Sequence, residues 1–175
     1  MTTMENAAAA YAGESQANRK YSNFADKAES EGFPMVAKLF KAASEAEAIH
    51  AKRLLFVMDK VRSTEDNLKA SVAGETDEFE TMYPGFIKTA EAEGKTEAIT
   101  AFTHAMKAEE VHAGKYKEAL AAVSKGSDIA VKKIFLCPVC GNIEFDEAPS
   151  ACYLCWCFCI FICYRAIKSN KYTCF

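Results

Sequence analysis

The chain has 175 residues, 26% of them charged, with a formal net charge of −3 at pH 7; at roughly 150 residues per domain this predicts one main domain and one small module. No apolar run reaches the length of a membrane-spanning helix, and Lys and Arg alternate with Asp and Glu, which argues against nucleic acid or a membrane surface as partner. Met1 to Asn6 lacks the basic-then-apolar pattern of a secretory leader, so the expected location is cytoplasmic.

Residues 4 to 125 are rich in Ala, Glu, Lys and Met, with apolar positions recurring at three and four, and predict long helices. The first runs over 4–31 and stops at Gly32; Pro34 opens the second, 34–61. Ser63 or Thr64 caps a third, 64–93, which Gly94 ends and Pro84 should kink; the fourth, 95–125, closes at Gly126. Each is roughly 40 Å long, too long to stand alone and suited to a four-helix bundle with short turns. Met35, Phe40, Phe56, Met58, Phe102 and Met106 are expected in its core.

Sliding the chain against itself by 62 residues reveals an internal repeat. Ala28-Glu29-Ser30-Glu31-Gly32 meets Ala90-Glu91-Ala92-Glu93-Gly94, Tyr21 meets Tyr83, and Phe40 meets Phe102. The same register carries Glu47-Ala48-Ile49-His50 onto Glu109-Glu110-Val111-His112, while Gly13-Glu14 meets Gly74-Glu75 at an offset of 61. Two helix pairs related by a pseudo-twofold axis are the economical reading.

A single Glu-x-x-His is common on the solvated face of such helices. Two in register, with Glu14 and Glu75 on the other two helices, make the arrangement that holds a pair of iron or manganese ions, one imidazole per metal with bridging and terminal carboxylates. Glu78, three residues after Glu75, has no acidic counterpart in the first half. Five carboxylates turned inward are tolerable only with cations among them. Tyr21 and Tyr83 lie where a phenol can orient a ligating carboxylate, whereas His104 falls off the Glu109–His112 face and is expected on the surface or in packing.

All eight cysteines lie between 137 and 175. Cys137-Pro138-Val139-Cys140 and Cys152-Tyr153-Leu154-Cys155 form two C-x2-C turns, a strong signature of four thiolates around one tetrahedral metal, iron or zinc.

With these motifs the chain resembles the rubrerythrins over about residues 4 to 155. The residues that carry the likeness are Gly13-Glu14-Ser15-Gln16-Ala17, Glu47-Ala48-Ile49-His50-Ala51-Lys52-Arg53, Ala73-Gly74-Glu75-Thr76-Asp77-Glu78, Met82-Tyr83-Pro84, Ala108-Glu109-Glu110-Val111-His112 and Cys137-Pro138-Val139-Cys140-Gly141. The resemblance implies a mainly α chain: a ferritin-like four-helix bundle over 1–126, a linker over 127–135 and a small rubredoxin-like four-cysteine metal module over 136–175. It implies two Fe ions held by Glu14, Glu47, His50, Glu75, Glu78, Glu109 and His112, and one Fe, with Zn as the alternative, held by Cys137, Cys140, Cys152 and Cys155. Glu78, Tyr21 and Tyr83 take the catalytic roles, Glu78 as the ligand that moves with redox state.

The implied activity is peroxidase, reducing hydrogen peroxide to water in oxidative-stress defence. Electrons come from a reductase or rubredoxin through the four-cysteine iron, and the chain is expected to form a homodimer. The alternative is a ferroxidase, iron-binding protein or peroxide sensor with a structural four-cysteine site. After Cys155 the chain departs from the family: Trp156 stands where a small residue is expected, the short aromatic strand is missing, and four further thiols follow, Cys157, Cys159, Cys163 and Cys174, which are expected to compete for the metal or to oxidise.

Overall fold

A computed structural model describes residues 2–158 and 160–165; Cys159 and Cys174 therefore lie outside the described residues. The chain falls into two compact units, 1–63 and 64–175. The first is a helical hairpin of α1 (Thr3–Ser30) and α2 (Pro34–Val57). Thr2 caps α1 with a reciprocal pair of bonds to Glu5, whose backbone N–H donates to the Thr2 hydroxyl while its carboxylate accepts from the Thr2 N–H. Ala25, Ala28, Ala37 and Ala51 are buried, as helices in close approach require. Asn18 and Ser44 tie the hairpin across its middle, Asn18 Nδ2 donating to the Ser44 carbonyl at 2.7 Å and the Ser44 hydroxyl to the Asn18 carbonyl at 2.9 Å.

The second unit holds α3 (Thr64–Asp77), a π-helical stretch (Glu78–Met82), α4 (Tyr83–Ala92), α5 (Thr96–Val123), and a three-stranded antiparallel sheet. The sheet consists of β1 (Lys133–Leu136), β2 (Ile143–Phe145) and β3 (Ile162–Arg165) in the order β2-β1-β3. Helix α5 meets the sheet through Lys115, whose ammonium lies 4.1 Å from the centre of the Phe145 ring.

Helix ends follow the turn chemistry. Gly32, Gly94 and Gly126 all have positive φ, and the next residue's N–H bonds back to the last turn: Phe33 to Ala28, Lys95 to Ala90, Ser127 to Ala122. The second helix, expected to reach 61, stops at Val57 because Asp59 adopts the left-handed conformation (φ 51°) and Lys60 N–H bonds the Leu55 carbonyl. The expected break at Pro84 takes another form: the widened turn lies just before the proline, with Tyr83 N–H donating to the Glu78 carbonyl five residues back. Pro84 lacks an N–H, and a π turn shifts the hydrogen-bond ladder where that donor is missing.

The repeat survives in three dimensions. Tyr21, Phe24 and Phe40 form an aromatic trio with ring centroids 5.6 to 6.3 Å apart, and Tyr83, Phe86 and Phe102 form its counterpart at 5.7 to 6.2 Å. Met35 and Phe56, expected in the core, are instead 70% and 57% exposed; helical period placed them on an apolar stripe, but the seam between α1 and α2 is filled by alanines, the Asn18–Ser44 pair and the Tyr21–Phe24–Phe40 rings. The closing strand β3 forms despite the departure after Cys155, its Ile162 and Cys163 in register with Leu136 and Phe135. Its run of β-branched, aromatic and other apolar residues, Ile160 to Tyr164, consists of residue types that favour strand pairing. Among the described residues no helix is long and apolar enough to cross a membrane.

Candidate metal centres

In the first unit, the three-residue step on α2 places Glu47 and His50 on one helix face, and α1 brings Glu14 to them. Glu47 Oε2 lies 2.8 Å and Glu14 Oε1 3.8 Å from His50 Nδ1. A hydrogen bond to Glu47 holds the Glu14 carboxyl above the ordinary carboxylate range; Glu47 is lowered by receiving it and by its bond to His50. Two carboxylates this close share a proton unless a cation replaces it.

The second unit repeats the arrangement. Glu109 Oε2 is 2.7 Å and Glu75 Oε2 3.9 Å from His112 Nδ1. Burial, with a hydrogen bond to Glu109 and the charges of Glu109 and Glu78 nearby, pushes Glu75 up to about 8. Glu78, at the head of the π stretch, lies outside the close triad, yet it too is raised, by burial first and then by Glu109 and Asp77, with His112 opposing. Burial and the charges of Glu109, Glu78 and Glu75 raise the Tyr83 phenol. Tyr21 packs against Phe24 and Phe40 as Tyr83 does against Phe86 and Phe102, and His104 is half-buried outside both triads.

The ring of His112 has a second partner. Its Nε2 lies 2.9 Å from the Gly141 carbonyl, and a carbonyl only accepts, so Nε2 carries the proton. Nδ1 then faces the carboxylates, the nitrogen that a cation among them would meet.

In the small module four sulfurs come together: the Sγ atoms of Cys137, Cys140, Cys152 and Cys155 all lie within 4.8 Å of one another. Cys137 and Cys152 are buried, Cys140 and Cys155 half-buried. Burial holds Cys140, Cys152 and Cys155 above the usual thiol range, so a cation is what would turn them into thiolates. A metal bonded at about 2.3 Å to four sulfurs sets them about 3.8 Å apart; Cys137 and Cys155 lie 3.8 Å apart, Cys140 and Cys152 3.6 Å. The donor sets fit hard, carboxylate-and-imidazole-bound iron in the triads and a tetrahedral thiophilic ion in the module.

Two participants, Tyr116 and the Gly141 carbonyl, escape the sequence reading, while a third, Cys157, is one of the extra thiols expected to compete for the metal. Tyr116 is raised by burial and then by the charges of Glu75 and Glu109; its spacing of seven from Glu109 and four from His112 is the signal that would have placed it on their face. Gly141 is visible only as a knuckle glycine, since its carbonyl meets α5 through tertiary structure. Cys157 lies 3.3 Å from Cys155 and 3.7 Å from Cys137, sulfur to sulfur.

The rubrerythrin family model matches residues 5–120. The chain is similar to Rubrerythrin-2 of Clostridium acetobutylicum, 32% identical over 180 residues that cover 95% of this chain and 92% of that protein. It is 35% identical to nigerythrin of Nitratidesulfovibrio vulgaris over 169 residues, 89% of this chain and 82% of that one. The solved structure of fully reduced, all-ferrous nigerythrin matches with a TM-score of 0.54 at 34% identity, covering 94% of this chain and 87% of that chain.

Proposed function

The chain belongs to the rubrerythrin family, mainly α with a ferritin-like helical part and a rubredoxin-like module, and from that premise we propose that it is a peroxidase. Its substrate is hydrogen peroxide, reduced to water, and its electrons enter through the four-cysteine site from a reductase or rubredoxin. We assign the helical part to 1–126, a linker to 127–135 and the module to 136–175, in a cytoplasmic homodimer.

The single observation that carries this reading is the bond from His112 Nε2 to the Gly141 carbonyl. Gly141 directly follows Cys140 in the chain, so a short run of backbone and one hydrogen bond join a thiol of the module to an imidazole facing two carboxylates. That link favours electron delivery over a purely structural module.

The side chains divide the work by position. Glu14, Glu47 and His50 offer one ligand set, and Glu75, Glu109 and His112 the other. Iron bound there supplies the two electrons that peroxide reduction needs. Glu78 stands apart from its triad and acts as the mobile carboxylate, with the widened turn at its position supplying backbone slack. Tyr83, kept protonated by burial and the charges of Glu109, Glu78 and Glu75, is the proton donor beside the carboxylates, and Tyr21 is its counterpart in the first half.

The test is anaerobic reduction of iron-loaded protein followed by one equivalent of peroxide. Two electrons should leave per peroxide, with return of the purple-red colour of a ferric four-thiolate site. Oxidation by dioxygen but not by peroxide would favour ferroxidase activity instead, and a colourless zinc-filled module would remove the electron-entry step.

A further inference from the structure

The two cysteine turns are copies of one another at an offset of 15 residues, and the copy extends beyond the four ligands. Gly141 N–H bonds the Cys137 carbonyl, and Cys137 N–H bonds the Asn142 carbonyl; likewise Trp156 N–H bonds the Cys152 carbonyl, and Cys152 N–H bonds the Cys157 carbonyl. Gly141 and Trp156 share the left-handed conformation, φ 81° and 56°. The sixth position of the turn is therefore Asn142 in the first and Cys157 in the second.

That position looks across at the other turn's first sulfur. Asn142 Nδ2 is 3.9 Å from Cys152 Sγ, and Cys157 Sγ is 3.7 Å from Cys137 Sγ. The latter distance is the edge of a four-sulfur tetrahedron, matching the 3.8 Å between Cys137 and Cys155. The 3.3 Å between Cys155 and Cys157 is shorter than that edge, so the two sulfurs sit side by side at one vertex. Only one of them can be a ligand at a time.

We propose that Cys157 is an alternative ligand of the four-cysteine metal, exchanging with Cys155 at a shared vertex; this rests on the reading that the four-sulfur group holds a metal. In the exchange the metal–Cys155 bond breaks as the metal–Cys157 bond forms, and the Cys157 S–H proton passes to the departing Cys155 sulfur, with no change in electron count. Cys155 is half-buried where Cys137 and Cys152 are buried, which makes it more accessible than either. A spare ligand beside it lets the site keep its metal when peroxide oxidises that sulfur.

Cobalt(II)-loaded full-length protein tests this, because near-ultraviolet sulfur-to-cobalt bands report bound thiolates and are blind to cobalt on carboxylates. Cys155→Ala and Cys157→Ala should each keep the four-thiolate intensity of the parent, while the double variant loses one thiolate's share. A Cys155→Ala spectrum identical to that of the double variant overturns the proposal, as does a double variant that keeps full intensity. Differential alkylation of the unaltered zinc-loaded protein gives a readout independent of folding in variants: Cys155 and Cys157 should each be partly protected. Full protection of Cys155 with full labelling of Cys157 sinks the exchange. Absence of any four-thiolate band in the unaltered protein would instead sink the underlying reading of a metal site.

Discussion

The two carboxylate–imidazole triads have nearly the same internal geometry and different surroundings. His Nδ1 to the Glu of its own helix is 2.8 Å in the first and 2.7 Å in the second, and to the Glu of the neighbouring helix 3.8 and 3.9 Å. His50 is 53% exposed, whereas His112 is 15% exposed and anchored at its far nitrogen by Gly141. Duplicated spacing reproduces the donor set; burial and the attached module give one copy its proton chemistry and its link to the sulfurs.

The largest effect should come from breaking the anchored copy. His112→Ala removes a donor, and loss of a mere supporting partner already costs about 10–100-fold in metal affinity, so at least about 100-fold weaker iron binding in its triad is expected. Peroxide-driven oxidation of the four-cysteine site should slow as well. His50→Ala should weaken iron binding in its own triad while leaving reductant-driven reduction of the four-cysteine site unchanged. Because peroxide reduction draws on both triads, stopped-flow absorbance should follow electron transfer from the reduced four-cysteine site to the iron that remains, expected slower in His112→Ala than in His50→Ala; equal rates would mean that the Gly141 contact carries nothing.

Glu78 has no acidic counterpart, so its removal tests the asymmetry directly. Glu78→Ala should retain iron and lose peroxide turnover by about 100-fold, the scale of a positioned proton-transfer group. Unchanged turnover by peroxide assay would strip Glu78 of its special role.

The next prediction concerns pH. Burial and the neighbouring Glu109 push the Glu75 carboxyl up to about 8, against about 4.3 for an unperturbed Glu. Between those values the folded state holds a proton that the unfolded state has lost, so metal-free stability falls as pH rises through this window and levels off above it. Thermal melts from pH 5 to 9 should show this decline, and Glu75→Gln should flatten it. A cation must displace the same proton, so apparent affinity should rise about tenfold per pH unit up to about 8, and calorimetry in buffers of different ionisation enthalpy should register the release.

The tyrosines give a smaller contrast. Tyr83→Phe removes a phenol proton within the field of three carboxylates and should lower turnover roughly 5- to 10-fold, below the about 100-fold or more of a full general acid. Both tyrosines sit in aromatic trios, but Tyr83 has its phenol raised by burial and nearby carboxylates, so Tyr21→Phe should change turnover less; the reverse order in steady-state assays would reassign the roles.

The two cysteine turns supply the smallest. Trp156 is 77% exposed and left-handed, a conformation costing about 1–2 kcal/mol in a residue with a Cβ, while glycine returns about 0.4–1 kcal/mol of that as unfolded-chain entropy. Trp156→Gly should therefore stabilise the module by up to about 1.6 kcal/mol, read as slower zinc loss to a chelator.

Much of this molecule is legible in its sequence, for reasons that are local. A three-residue step on a helix places Glu and His on one face wherever the helix packs, two C-x2-C turns aim four sulfurs inward, and a glycine past a helix end stops it. The 62-residue repeat carries those local rules twice. Residues whose behaviour depends on partners distant in the chain are less legible: Met35 and Phe56 follow the apolar period yet stay exposed, and Tyr116 is marked only by a spacing that many tyrosines share.

The order of residues thus sets the donor inventory and its pairing within each helix and turn, because helical and knuckle geometry fix neighbours three residues apart. How those donors differ from one another comes from packing. Glu75 is raised because α3 and α5 bury it beside Glu109, and His112 orients because α5 meets the Gly141 turn. Cys157 joins the sulfurs because Trp156 accepts a glycine's conformation. Desolvation and contact across tens of residues depend on the packed chain, and no pattern of spacing encodes them.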